Sequence, residues 1–202
     1  MAERNVDLPV IPQRLHWDVP PAGYEARGDD AMSITAPPRS DLFAAPDGSR
    51  TVESAPRLLF PVEGPCLLSA RVGVDGEDPF DAGALLVRRS ERAWAKLCLE
   101  RLPDGSTAVV SVVTRGHSDD CTSHTVAGAD TWLRIAVLEG SMAFHASDDG
   151  ETWSLVRHFA LDDGYSTRIG FACQAPVGEG CEARFDGVRF ERTLLSDLRS
   201  GA

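Results

Sequence analysis

The stretch A-G-A-L-L-V-R-R-S-E-R-A-W-A-K-L-C-L-E-R-L-P-D-G-S-T-A-V-V-S-V-V-T-R, Ala82 to Arg115, decides the fold. It holds three runs of strand character, and Asp104-Gly105 joins the last two. Both residues tolerate the positive φ of a type I′ turn, so the dipeptide signals a hairpin. A two-residue loop pairs Pro103 with Ser106, which sets Glu100 against Val109, Cys98 against Ser111, Lys96 against Val113 and Trp94 against Arg115. One face then carries Trp94, Lys96, Cys98, Glu100, Ser111 and Arg115. The other carries Ala95, Leu97, Leu99, Val110 and Val112 and reads as core. A slip of one residue would exchange Ser111 for Val110 and Val112.

Outward from the hairpin, short strand-like runs recur every 8 to 12 residues between turn signals, and no stretch has the apolar period of an amphipathic helix. Upstream, the runs are Leu15-His16-Trp17, Tyr24 to Arg27, Met32 to Ala36, Arg57 to Val62 and Cys66 to Val74. Downstream come Thr122 to Val126, Thr131 to Leu138, Ser141 to Ala146, Trp153 to Ala160, Thr167 to Gln174 and Cys181 to Arg192. Pro37 to Ser54 reads as a long loop that Phe43 pins to the body; loops of this kind on rigid scaffolds often carry function. Thr193 to Arg199 reads as a closing helical turn. The pattern predicts one all-β domain over residues 15–192, a sandwich or a barrel. Residues 1–14 form an arm lying on it, and residues 193–202 a tail.

The chain has 202 residues and a formal net charge of −11, which argues against nucleic acid or an anionic membrane as partner, since both reward a surplus of Lys and Arg. No apolar run approaches the roughly 20 residues of a spanning helix, and the start M-A-E-R-N-V-D-L-P lacks the apolar core of a signal peptide. Five cysteines (Cys66, Cys98, Cys121, Cys173, Cys181) without C-x-x-C spacing fit buried thiols in a reducing compartment. The expected location is therefore the cytoplasm. Cys173 and Cys181 flank a Pro/Gly loop, and whether they pair is left open. So is a homodimer formed through a sheet edge or face.

The polar face of the hairpin is either the solvent side of a sheet or the floor of a binding site. For a sugar, Trp94 offers an apolar plate, while Lys96 and Glu100 offer charge-assisted hydrogen bonds to hydroxyls. At 3.3 Å per residue Lys96 and Glu100 lie about 13 Å apart along the strand, too far for a catalytic pair. Arg157, two steps past Ser154, is a further candidate for the same face or a partner for surface acids.

Two other clusters have simpler explanations. His117, Asp119 and His124 are suitable ligand types for a divalent ion, but no H-x-H or H-x-x-x-H spacing supports a site, so no metal or other cofactor is expected. Ser118 lacks the G-x-S-x-G elbow of an activated nucleophile. Ala146 to Trp153, A-S-D-D-G-E-T-W, is close to the Asp-box S-x-D-x-G-x-T-W of sialidases, a structural turn in which Asp148 would bond local backbone beside Gly150 and Trp153.

Five segments occur in an order that carries a resemblance. They are S-D-L-F (Ser40 to Phe43), W-A-K-L-C-L-E (Trp94 to Glu100), S-V-V-T-R-G-H-S-D-D (Ser111 to Asp120), S-D-D-G-E-T-W (Ser147 to Trp153) and I-G-F-A-C-Q-A-P-V-G-E-G-C-E-A-R-F-D (Ile169 to Asp186). Together they resemble the concanavalin A-like domain-of-unknown-function family that includes the fungal regulation-of-enolase protein, over roughly Leu15 to Arg192. The resemblance implies a two-sheet antiparallel β-sandwich, a jelly roll with a concave face as in legume lectins and some glucanases, and brings no established activity. It carries over Asp41, Lys96, Glu100, Thr114, Ser118 and Asp119 as polar site positions. Thr114 falls on the core side of the predicted register. The family has an aromatic after Ser-Asp in the third segment, where this chain has Asp120-Cys121.

The expected function is non-catalytic binding of a carbohydrate or other small polar ligand on the concave face, by Trp94, Lys96, Glu100, Ser118 and Asp119 with Asp41, Thr114 and Arg157 nearby. A cytoplasmic regulatory or protein-interaction module of carbon metabolism is the second reading, which the resemblance implies. A glycoside hydrolase or lyase is the third, and needs Glu100 to meet Asp119 or Asp41 at about 5.5 Å for retention or about 6.5 to 9.5 Å for inversion.

Overall fold

A computed structural model describes residues 5–161 and 166–202. Its first strands are β1 (Asn5–Val6), β2 (Leu15–Val19), β3 (Gly23–Ala26), β4 (Met32–Ala36), β5 (Leu42–Ala44), β6 (Thr51–Glu53), β7 (Arg57–Val62) and β8 (Cys66–Asp75). The central ones are β9 (Ala82–Arg88), β10 (Ala93–Arg101), β11 (Thr107–Arg115) and β12 (Ser118–Val126). The last are β13 (Asp130–Val137), β14 (Met142–Ser147), β15 (Ser154–Phe159), β16 (Thr167–Gln174) and β17 (Cys181–Glu191). All pairings are antiparallel, and they build an eight-stranded sheet in the order β1-β2-β7-β16-β9-β10-β11-β12 facing a seven-stranded sheet in the order β15-β14-β13-β8-β17-β4-β3. This is a β-sandwich of the jelly-roll kind. Among the described residues there is no helix, and Thr193 to Arg199, expected as a helical turn, runs through bends and turns instead.

The core between the sheets follows from strand alternation. Leu85, Val87, Ala95, Leu97, Leu99, Val109 and Val113 meet Ile34, Leu68, Val72, Leu133, Ile135, Phe144 and Phe185. Phe171 and Phe185 meet edge to face at 5.1 Å between ring centres, one from each sheet. Each such side chain contributes about 1.5–3 kcal/mol through burial. The N-terminal arm joins this core: β1 pairs with β2, and Leu8 and Ile11 are buried.

The central hairpin forms where the sequence places it but in the neighbouring register. Glu100 faces Ala108, Cys98 faces Val110, Lys96 faces Val112 and Trp94 faces Thr114. The cause is the turn. The Leu102 amide donates to Ser106 O at 2.8 Å and the Gly105 amide to Leu102 O at 2.9 Å, so the loop has three residues, Pro103 to Gly105. Pro103 suits the second position of a type I turn, and Gly105 alone takes the left-handed conformation (φ 83°) that closes such a loop. Asp104 Oδ1 fixes it by accepting from the Ser106 amide at 2.9 Å. The slip corrects the predicted faces. Val110 and Val112 join the Trp94, Lys96 and Glu100 side, Ser111 turns with Val109 and Val113 toward the sandwich interior, and Thr114 leaves the core face for the Trp94 side.

Both sheets are also covered on their outer faces. On the eight-stranded sheet, Leu59, Ala84, Leu86, Trp94, Cys98, Val110, Val112 and Ala172 form a second apolar cluster with Leu42 of the 37–54 segment and the adjoining Ala55. That segment contains the β5–β6 ribbon, which explains why every residue of β9 is buried. On the seven-stranded sheet, Leu67, Ala136 and Ala143 are covered by Leu195 and Leu198 of the C-terminal tail. His145 Nε2 donates to Leu198 O at 2.8 Å there, and Arg134 Nη2 to Gly201 O at 2.7 Å. The β14–β15 turn is the local structural motif expected, with one correction. Asp149, not Asp148, accepts from the Glu151 and Thr152 amides at 2.8 and 2.7 Å. Cys173 on β16 and Cys181 on β17 are free thiols whose sulfurs lie 3.6 Å apart, between the two sheets.

Candidate functional site: a cleft on the outer face of the large sheet

The floor of the site is laid by alternation along β10, β11 and β16. Lys96 and Glu100 point outward from β10, Val110 and Val112 from β11, and Gln174 from β16 in the same cross-strand row as Ala82 and Glu100. The small Ala82 and Ala108 flank Glu100 and leave room above it. The β5–β6 ribbon, bearing Asp41, Phe43 and Arg50, forms one wall. Phe80, Pro176 and Val177 form the other, and Asp120 on β12 closes one end. The cleft has a volume of about 420 Å³, within the range of sites for small molecules.

Its charges are unevenly satisfied. Lys96, only 2% exposed, runs along the sheet and donates from Nζ to Gln174 Oε1 at 2.5 Å, while Gln174 Nε2 donates to Phe80 O at 3.0 Å. Asp41 is held by Arg50 at 2.5 Å and by the Leu42 amide at 2.8 Å. Glu100 is 9% exposed and, among the described residues, its side chain has neither a hydrogen bond nor an ion pair. Burial pushes its carboxyl up to about 7; the Lys96 ammonium opposes this, and Asp41 and Asp120 reinforce it. Phe80 at the rim has φ 71°, a conformation bulky residues rarely adopt, and its ring is exposed.

The structure gathers some of the predicted residues and separates others. Asp41, Lys96 and Glu100 share the cleft. Trp94 lies in the apolar cluster beneath the ribbon at 1% exposure, so it offers no free plate for a ligand. Thr114 and Ser118 are buried 2.8 Å apart, and Ser118 Oγ accepts from the Ala44 amide at 3.0 Å, which anchors the ribbon to the sheet. Asp119 pairs with Arg157 at 2.9 Å, tying the edge strands β12 and β15 of the two sheets together, away from the cleft. His117, Asp119 and His124 do not gather: among the described residues, no three His, Cys, Asp or Glu side chains form a metal-binding group.

The sequence reading missed Phe43, Arg50, Phe80, Asp120 and Gln174. Asp120 follows once the register is right, because it faces Val112, which faces Lys96. Gln174 follows from parity with Ala172 on β16. Phe80, an aromatic in the turn D-P-F-D, was the available signal for the far wall.

Fold and cleft together define a jelly-roll β-sandwich with a cleft of mixed apolar and charged lining on one outer face. The chain belongs to the DUF1349 family of proteins of unknown function, whose model matches residues 17–193. A functionally unknown protein from Saccharomyces cerevisiae has the same fold at 23% identity and a TM-score of 0.82, over 94% of this chain and all of that one. A GH43 protein from Bacillus licheniformis matches at 15% identity and a TM-score of 0.66, over 89% of this chain but 37% of its own. An alginate lyase from Alteromonas matches at 13% identity and a TM-score of 0.56, over 88% of this chain and 94% of its own. At these identities the likeness is one of fold. No curated protein matches the sequence.

Proposed function

We propose that the domain binds a small polar ligand of carbohydrate type in the cleft, without transforming it. The observation that carries this is Glu100, a buried carboxyl aimed into an open cleft with no protein partner. A ligand hydroxyl can donate to it in place of water. Lys96 retains donors beyond the one given to Gln174, and Phe80 and Phe43 supply the apolar surface first expected from Trp94. Neutral mono- and disaccharides and polyols, titrated into labelled protein, are expected to perturb the cleft residues and to stop doing so in Lys96→Ala. Binding unaffected by that change contradicts the proposal.

One observation favours a second reading, a hydrolase or lyase. Asp41, Glu100 and Asp120 share the cleft, and a carboxyl raised to about 7 suits a general acid. Asp41 is already engaged by Arg50 and backbone, which leaves Asp120 as the partner. Release of reducing ends from a polysaccharide, lost in Glu100→Gln, would establish it. A regulatory role in carbon metabolism is implied by the family resemblance alone. The buried free thiols favour a reducing compartment such as the cytoplasm, and the net charge of −11 disfavours nucleic acid.

A further inference from the structure

We infer that the cleft selects a cationic ligand, an amino sugar or similar amine-bearing polyol, over neutral and anionic sugars; this rests on the binding reading above. The argument is one of charge and commitment. Three carboxyl groups, Asp41, Glu100 and Asp120, line the cleft with two cations, Lys96 and Arg50. Arg50 is bound to Asp41 and Lys96 to the Gln174 amide oxygen; the Lys96 charge reaches Glu100 through space, but neither cation forms a hydrogen bond or ion pair with Glu100 or Asp120. Among the described residues, Asp120 also has no hydrogen bond or ion pair, and it is exposed at the cleft end.

What the site lacks is therefore a cationic donor in contact with Glu100 and Asp120. An ammonium group supplies three donors and compensates the excess carboxylate, while hydroxyls of the same molecule meet Lys96. A phosphate or uronate would add negative charge beside Asp120 and Glu100. The aromatic rim points the same way, since the faces of Phe43 and Phe80 attract a cation.

The choice also has a proton signature. Every charged group lining the cleft around Glu100 is accounted for: Lys96 on its own strand, Asp41 and Arg50 from the ribbon side, and Asp120 from β12, with Gln174 neutral on β16. A bound ammonium favours the ionised Glu100 and so expels its proton near neutral pH. Affinity for the ammonium form therefore rises with pH across that range, and affinity for its neutral analogue does not.

The test is a titration of the isotope-labelled protein at pH 7 and low salt with glucosamine, N-acetylglucosamine, glucose and glucose 6-phosphate. The expected result is glucosamine binding about tenfold tighter than glucose, the gain from a neutral to a charge-assisted hydrogen bond. Glu100→Gln and the exposed Asp120→Asn should each reduce that ratio. Equal binding of glucose and glucosamine, or tighter binding of glucose 6-phosphate, overturns the cationic preference and leaves the binding reading standing. If none of the four perturbs the cleft, both fall.

Discussion

Lys96 and Gln174 are joined by a 2.5 Å hydrogen bond that spans the width of β9, linking strands β10 and β16 through residues 78 apart in the chain. The bond fixes a buried ammonium over the cleft floor and, through the Gln174 bond to Phe80 O, ties the floor to the rim. Gln174→Ala leaves the ammonium without its amide partner. A loss of about 1–3 kcal/mol is expected in urea unfolding. Gln174→Glu, which keeps an acceptor, should recover most of it. A neutral Gln174→Ala would mean that Lys96 finds another partner.

Glu100 gives the protein a stability slope of defined sign. Its carboxyl is raised from 4.5 to about 7 by burial, so between those values the native state holds a proton that the unfolded chain has released. Stability therefore falls as pH rises through this window, by on the order of 3 kcal/mol in total. Asp81, raised from 3.8 to about 6 by burial, adds a slope of the same sign at lower pH. Glu100→Gln should flatten the curve between about pH 5 and 7 and be the more stable protein above it. Unfolding free energies measured from pH 5 to 8 check this, and parallel curves for the two proteins would refute it.

The ribbon over Trp94 hangs on Ser118. Its hydroxyl accepts from the Ala44 amide and meets Thr114, both in buried surroundings. Ser118→Ala should cost about 1–3 kcal/mol and speed hydrogen exchange at Ala44. Trp94 fluorescence should shift to the red as the cover loosens. Unchanged exchange at Ala44 would remove the hydroxyl from this role.

The thiols divide four to one. Cys66, Cys98, Cys173 and Cys181 are buried and Cys121 is exposed on the edge strand β12. Burial also pushes the Cys66 and Cys98 thiols up to about 11 and 12. A thiol reagent at neutral pH should label Cys121 rapidly and the others only on unfolding. Rapid native labelling of a second cysteine would contradict the packing.

How far the sequence is legible differs between sheet and site. Alternation in Trp94 to Glu100 places Lys96 and Glu100 together on one face, because β10 has a regular period of two. The partner strand was misread by one residue because Asp104-Gly105 supports either a two- or a three-residue loop, and Pro103 selects the longer. Trp94 reads as a ligand plate only while the 37–54 segment is unplaced. Once Leu42 and Ala55 pack against that cluster, the indole is interior. Gln174, Phe80 and Arg50 lie 74, 20 and 50 residues from Glu100 in the chain, and only tertiary pairing brings them together.

Whether the outer-face cleft is the binding site is tested most directly by amide shift mapping of the labelled protein during a glucosamine titration. The account predicts saturable shifts clustered at Asp41, Phe80, Lys96, Glu100, Asp120 and Gln174, abolished by Glu100→Ala. Shifts centred instead on the groove between His124 and Asp148, or no saturable shifts at the cleft, would contradict it.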